Sequence, residues 1–235
     1  MEKKEALYRE FAQYYDKIYA KRNYLKEVSF IDSIIKKHNR GKSILEVACG
    51  TGNHTKLLLK KGYSVVGIDK NKQMLNLAKK KLPQVEFKQG DMRDFNLNKK
   101  FDAVLCLFTV INYNLTTAGV IKSLQNFKRH LKEKGVIIFD APLPQKHSYH
   151  ADFLDKDSVV LYTRDDTKRI SNFFIYWMFR KKGKVEVLRD SHPLRFYTLK
   201  EISQAITKAG LKYKVYWNFS LTKKKGRRPV IVCTN

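Results

Sequence analysis

Residues 44–53, I-L-E-V-A-C-G-T-G-N, constrain this chain more than any other stretch. An apolar run carrying one acid stops at paired glycines, and a segment of helical character follows. Glycine at positions 50 and 52 lets the backbone turn tightly and approach a ligand with no Cβ in the way. A helix opening directly after that turn presents unpaired N–H groups and the positive end of its dipole. Such a turn suits a pyrophosphate or the carboxylate of an amino-acid-like cofactor. The dinucleotide fingerprint G-x-G-x-x-G needs a third glycine for close helix–strand packing, and Thr55 stands in its place here.

The chain beyond the turn alternates between two periodicities. A helical stretch at 55–61 ends at Gly62, and the apolar run 63–69, Y-S-V-V-G-I-D, ends in Asp69. That acid falls about 20 residues past the turn, where ribose hydroxyls lie in nucleotide-binding α/β folds. A carboxylate accepts two hydroxyl hydrogen bonds at once. Residues 71–81 predict an amphipathic helix with Met74, Leu75, Leu77 and Ala78 on one side, closed by Pro83. A third strand over 85–89 runs into G-D-M-R-D-F at 90–95, and a fourth at 101–108 leads into 109–113. A helix over 117–132 and a fifth strand over 135–140 follow. Asp69 read alone is an ordinary helix N-cap and Asp91 an ordinary turn residue. Acids and glycines at the carboxyl ends of three successive strands point instead to a ligand at that sheet edge.

Pro142 and Pro144 interrupt the alternation, and 158–191 is β-rich and aromatic, with a hairpin connection at 181–184, K-K-G-K. Thr198 and Glu201 form a capping-box pattern for a helix through Ala209, stopped by Gly210. Residues 212–217 and 228–234 predict two last, antiparallel strands.

The run E-V-A-C-G-T-G resembles the first motif of class I S-adenosylmethionine-dependent methyltransferases. F-A-Q-Y-Y-D-K-I-Y at 11–19 looks like the Y-Y-D-x-I-Y opening of the small-molecule members. Q-G-D-M-R-D-F at 89–95, R-F-Y-T-x-x-E-I at 195–202 and G-R-R-P-V-I-V at 226–232 are similar to amino-sugar N-methyltransferases, and glycine-type N-methyltransferases share the layout. The resemblance implies one Rossmann-like α/β domain: a seven-stranded, mostly parallel sheet with helices on both faces and a β-rich insertion before the last helix. It divides 1–235 into an N-terminal lid and helix (1–40), a cofactor-binding core (41–141), a β-rich substrate or dimer insertion (142–197), and a last helix and hairpin (198–235).

The implied cofactor is S-adenosyl-L-methionine. Glu46, Ala48, Gly50, Gly52 and Asn53 would hold it at the first turn, and Asp69, Lys70 and Met74 after the second strand. Asp91 would face the adenine amino group beside the backbone of Met92. Leu107 and Phe108 follow the fourth strand, and Tyr15 would close over the site. The reaction expected is methyl transfer to a small-molecule acceptor at an amine nitrogen, with Tyr15 and His130 as catalytic residues. The developing cation suits aromatic faces, for which Tyr15, Tyr19, Phe108 and Tyr113 are candidates, core packing being their alternative. His130 also fits a surface or capping role; Asp140 is a second candidate proton acceptor and Arg228 a candidate phosphate contact.

Charge leaves another reading open. Lys and Arg total 48 against 22 acids, for a net +26, and no acid follows Glu201. Such a field steers polyanions and keeps an RNA methyltransferase in view. The fourth strand, however, ends in L-F-T-V-I-N-Y rather than the N-P-P-Y of base-amino methyltransferases. A cofactor-fold scaffold without chemistry is the third alternative. An anionic small molecule is compatible with the charge, and a homodimer through the insertion is possible. No eighteen-residue apolar run and no signal-peptide pattern exist, so no membrane partner is expected. Cys49, Cys106 and Cys233 are scattered, which fits reduced thiols in a cytoplasmic setting and offers no zinc framework. His38, His54, His130, His147, His150 and His192 add no ligand pattern, and no metal is expected.

Overall fold

The computed structural model describes all residues except 1–2, 5, 10, 39, 145–147, 166–169 and 223. A two-residue strand β1 (Lys3–Lys4), two 3-10 turns, α1 (Tyr15–Ile18) and α2 (Tyr24–His38) lead into alternating strand and helix. These are β2 (Ser43–Val47), α3 (Asn53–Lys60), β3 (Ser64–Asp69), α4 (Lys72–Lys81), β4 (Glu86–Gln89), β5 (Phe101–Cys106), α5 (Thr117–Arg129) and β6 (Leu131–Asp140). Four strands follow, β7 (Ser148–Asp155), β8 (Ser158–Asp165), β9 (Ile170–Lys181) and β10 (Lys184–Arg195). The chain ends with α6 (Leu199–Lys208), β11 (Lys212–Trp217) and β12 (Pro229–Thr234).

The larger sheet has the order β11-β12-β6-β5-β2-β3-β4. Only β12 runs against its neighbours, which makes the sheet mostly parallel as the sequence predicts. Its central strands are apolar at successive positions because helices cover both faces. Leu45, Val104, Ile137 and Ile231 pack on the α5–α6 side, while Ile44, Leu105, Ile138 and Val232 pack against α2 and α3. The strand order reverses between β2 and β5, so the crevice above their carboxyl ends is the place for a ligand.

Helix ends follow local chemistry. The Thr198 hydroxyl accepts from the Glu201 N–H while the Glu201 carboxylate accepts from the Thr198 N–H, the reciprocal cap expected for α6. The helix predicted over 117–132 stops at Arg129, with His130 as its cap and the next strand already begun at Leu131. Lys132, Glu133 and Lys134 on the solvent side of β6 gave that strand start a helix-like polarity.

A second sheet of order β1-β10-β9-β8-β7 stands over the first. Its β9–β10 hairpin turns through Lys182 (φ 49°) and Gly183 (φ 75°), the paired left-handed geometry that matches strand twist. Two of its strands escape the sequence pattern. β7 alternates polar with apolar residues weakly and lies just past the proline break, and β1 exists only through pairing with β10. The inner face of this sheet buries Val160, Ile175 and Trp177 against Leu7, Ala12, Tyr15, Ile18 and Met74. The N-terminal segment is therefore clasped between the two sheets. Buried Asp190 fixes it there, accepting the Ala6 N–H at 2.8 Å and the Leu7 N–H at 2.7 Å.

Candidate active site

The glycine turn is built from left-handed residues: Ala48 (φ 55°), Gly50 (φ 56°) and Gly52 (φ 79°). A Cβ on Gly50 would make only an ordinary contact with Met74 Cε at 3.4 Å, so what a side chain there would meet is the strain of the left-handed backbone. Asp69 ties this turn to the next. Its Oδ2 accepts the Gly50 N–H at 2.9 Å and its Oδ1 the Asn71 N–H at 2.8 Å. The Gly90 N–H donates to the Asp69 carbonyl at 3.0 Å, bringing the end of β4 into the same edge.

At the end of β4, Arg93 grips Asp91 with Nε on Oδ1 at 2.8 Å and Nη2 on Oδ2 at 2.7 Å. Those hydrogen bonds hold the Asp91 carboxyl below its usual range. At the end of β5, Phe108 and Thr109 both sit at φ 66°. Left-handed geometry at a non-glycine residue stores about 1–3 kcal/mol and concentrates at functional sites.

One cavity gathers these turns. Ala48, Gly50, Asp69, Lys70 and Met74 line it from below, with Asp91, Met92 and Phe108 beside them. Tyr8, Tyr15, Tyr113 and Asn114 line it from the other side. An adjoining recess shares Tyr15, Ala48, Gly50 and Phe108 and adds Glu46, Asn53 and Leu107. Of the cofactor residues expected from sequence, Gly52 alone lines neither recess, because it serves as the N-cap of α3. Besides Asp69 and Asp91, two others are engaged within the protein. Glu46 accepts a short hydrogen bond from the Thr55 hydroxyl, and burial pushes its carboxyl pKa up. Asn53 donates to Asp16 at 2.9 Å, alongside Thr51 at 2.5 Å and Lys81 at 2.6 Å. Asp16 therefore latches the N-terminal segment onto the glycine turn.

The roof supplies the aromatic end. Tyr15 packs on Tyr19 at 4.8 Å between ring centroids, and Tyr19 stands edge-on to Phe108 at 4.8 Å. The Tyr8 and Tyr113 hydroxyls lie 2.6 Å apart. Burial, before any neighbouring charge, raises the Tyr8, Tyr15 and Tyr19 hydroxyl pKa values well above the ordinary tyrosine value. These groups stay protonated at neutral pH and act as hydrogen-bond partners, not as bases.

Three further candidates stand elsewhere. His130 lines neither recess of the cleft. Its Nδ1 lies 2.9 Å from the Asn126 carbonyl and its Nε2 accepts the Leu97 N–H at 3.1 Å, with Phe95 against the ring. Both nitrogens are spent on closing α5 onto the 95–97 segment, so His130 has no free lone pair for an acceptor's proton. Asp140 and Arg228 are likewise joined to each other, Arg228 Nε donating to Asp140 Oδ2 at 2.8 Å. His147 lies outside the described residues. Tyr8, Arg93 and Asn114 escaped the sequence reading. Arg93 lies inside the quoted G-D-M-R-D-F run and was within reach, whereas nothing local to Tyr8 marks it.

Left-handed turns, an acid bridging the ends of β2 and β3, and a roofed crevice at the strand-order reversal suit a nucleoside with an amino-acid tail. The matches agree: a family model described as a methyltransferase domain matches residues 44–135. The chain is 30% identical over 212 residues to the dTDP-3-amino-3,4,6-trideoxy-alpha-D-glucopyranose N,N-dimethyltransferase of Streptomyces venezuelae, covering 86% of this chain and 90% of that one. It belongs to the S-adenosylmethionine-dependent methyltransferases. The crystal structure of Streptomyces venezuelae DesVI superposes with a TM-score of 0.84 at 27% identity, covering 95% of this chain and 98% of that one. CalS10, an amino pentose methyltransferase from Micromonospora echinaspora solved with its cofactor bound, has the same fold, with a TM-score of 0.82, 24% identity and 96% of each chain covered. The chain is thus an enzyme, and S-adenosylmethionine is its cofactor.

Proposed function

We propose that this enzyme methylates the amine nitrogen of a small anionic acceptor, a nucleotide-linked amino sugar, in a cytoplasmic setting. The observation that carries the reading is the roof. Tyr8 and Tyr15 of the N-terminal segment line the cleft and the second sheet packs on that segment, leaving an aromatic, hydroxyl-lined end suited to a small molecule. The Streptomyces venezuelae amino-sugar N,N-dimethyltransferase to which the chain is similar matches 86% of its length. Lys224, Lys225 and Arg227 lie on the β11–β12 connection at the carboxyl edge, where they suit a phosphate-bearing acceptor.

S-adenosylmethionine supplies an electrophilic methyl group when bound. The residues proposed to hold it are Gly50 and Ala48 through the backbone turn, Asp69 toward hydroxyls, and Asp91 with Met92 beside the base. Gly50 has the open left-handed turn and Asp69 the fixed carboxylate such a ligand needs, so the residues fit the group. The chain's task is then to orient the acceptor lone pair and exclude water. Tyr8, Tyr15 and Tyr113 are proposed to do so through hydroxyls and ring faces. The two carboxylates that line the cavity, Asp69 and Asp91, are engaged by backbone N–H groups and by Arg93, so the amine is proposed to arrive unprotonated.

A second copy is the proposed partner for the outer face of the second sheet, where Phe153 is 71% and Val185 66% exposed. The deciding assay offers labelled cofactor to dTDP-amino sugars, simple amines and bulk tRNA. Transfer to the sugar amine, with mass gains of one or two methyl groups, supports the reading. Incorporation into RNA alone overturns it.

A further inference from the structure

We propose that Arg228, acting through Asp140, is a positioning residue for methyl transfer: it holds the Phe108–Thr109 turn at the junction of the two recesses. The proposal rests on the methyltransferase reading of the cleft. Two consecutive non-glycine residues at φ 66° need an external restraint, and Phe is among the residues least suited to that geometry. Asp140 supplies the restraint. Fully buried at the end of β6, it accepts the Phe108 N–H on Oδ1 at 2.6 Å and the Thr109 N–H on Oδ2 at 2.9 Å.

A buried carboxylate needs a cation, and Arg228 places Nη2 at 2.6 Å from it. Arg228 continues to Glu27 at 3.3 Å, and Glu27 pairs with Arg22 at 2.7 Å and His54 at 2.7 Å. The Arg22 guanidinium then returns to lie 3.8 Å from the Phe108 ring centroid. Phe108 is therefore gripped at its backbone by Asp140 and on its ring face by Arg22, and both grips meet at Glu27. Because Phe108 is one of four residues that line both recesses, its displacement is expected to move the reacting groups apart more than it weakens either ligand.

The test compares Arg228→Lys and Asp140→Asn, each alone and combined with Thr109→Gly, since glycine takes left-handed geometry with no carboxylate to hold it. Turnover is measured with S-adenosylmethionine and dTDP-3-amino-3,4,6-trideoxy-alpha-D-glucopyranose, cofactor Kd by calorimetry, and the Phe108 and Thr109 amides by hydrogen exchange. The single variants are expected to lose about tenfold or more in kcat with cofactor Kd within about threefold, and to expose both amides. Adding Thr109→Gly is expected to return most of kcat. Should Asp140→Asn fail to fold, the Arg228→Lys pair answers the same question. A kcat loss that Thr109→Gly leaves untouched, or single variants with wild-type kcat and amide protection, overturns the proposal. If wild type methylates no amine yet both amides loosen in the single variants, the acceptor assignment falls while the restraint of the Phe108–Thr109 turn by Asp140 and Arg228 stands, its effect on kcat then being read with whichever acceptor the labelled-methyl assay identifies.

Discussion

The floor and the roof of the cleft are built on different principles. On the floor, ligand-facing groups belong to backbone turns at the ends of β2, β3, β4 and β5, and the sheet that carries them is buried on both faces. On the roof, Tyr8, Tyr15 and Tyr19 come from a short N-terminal segment with little regular structure of its own. It is held by Asp190 to one sheet and by Asp16 to the other. The floor fixes geometry through the covalent chain; the roof fixes it through a few carboxylates. Damage to the floor should therefore abolish cofactor binding, whereas damage to a roof clamp should spare the cofactor and misplace the acceptor.

The largest effect is expected at Asp69. Asp69→Ala removes the acceptor of two N–H groups and the hydroxyl contact proposed for the cofactor. Each unsatisfied N–H costs about 1–3 kcal/mol, so cofactor affinity should fall by about 100-fold or more. Gly50→Ala should do the same through strain at φ 56°. Calorimetric titration with S-adenosylmethionine measures both. Near-wild-type affinity in either variant would place the cofactor away from this turn.

Asp190→Ala tests the roof. Ala6 and Leu7 lose their acceptor, and His192 loses the carboxylate 2.9 Å from its Nε2. We expect kcat/KM for the acceptor to drop by about tenfold while cofactor Kd changes by no more than about threefold. Equal losses in both would erase the distinction between floor and roof. The same residue gives a pH signature. Burial opposes the Asp190 charge, but His192 and the two N–H groups overcome it, and the carboxyl pKa stays below the ordinary value. Its stabilisation is therefore complete above the unfolded-state pKa of about 4 and is lost as pH falls through the lowered folded value. Thermal melts of Asp190→Asn should show a shallower acid limb than wild type.

The floor was legible because its rules are local. Gly50, Asp69 and Asp91 end apolar runs in adjacent stretches of sequence, and the parallel sheet then brings those ends to one edge. Their partners within the protein were less legible: Asn53 also bonds Asp16, and Glu46 also bonds Thr55. The roof was partly legible at Tyr15, inside a recognisable run, and not at Tyr8. Tyr8 reaches the cleft because β1 pairs with β10 across more than 180 residues, as the Lys3↔Asp190 register records, and no periodicity encodes such a pairing. Asp190 shares its strand with one other acid, the half-buried Glu186, and no local pattern separates the two, so its burial had no sequence signal either.

A smaller effect is expected where the two regions are latched. Lys81 Nζ touches Asp16 at 2.6 Å and Asn53 at 2.8 Å, yet the Asp16 side chain is 45% exposed and the pair is screened. Lys81→Met should speed cofactor release by about two- to fivefold, and the difference from wild type should shrink as salt rises. Stopped-flow displacement at low and high ionic strength reads this directly. A rate that salt does not change would mean the latch holds by packing alone.

His130 sets the lower bound. It sits on the floor side of the molecule and closes α5 onto the 95–97 segment, outside both recesses. His130→Ala removes a buried ring and the acceptor of the Leu97 N–H, a loss of about 2–3 kcal/mol that corresponds to about 4–12 °C in melting temperature for a chain of this size. At a temperature well below that melt, kcat and its pH profile should match wild type. If the acid limb of kcat moved instead, this histidine would be carrying a proton for the reaction. The contrast drawn between a rigid floor that binds and an aromatic roof that positions would then need a catalytic group neither region now supplies.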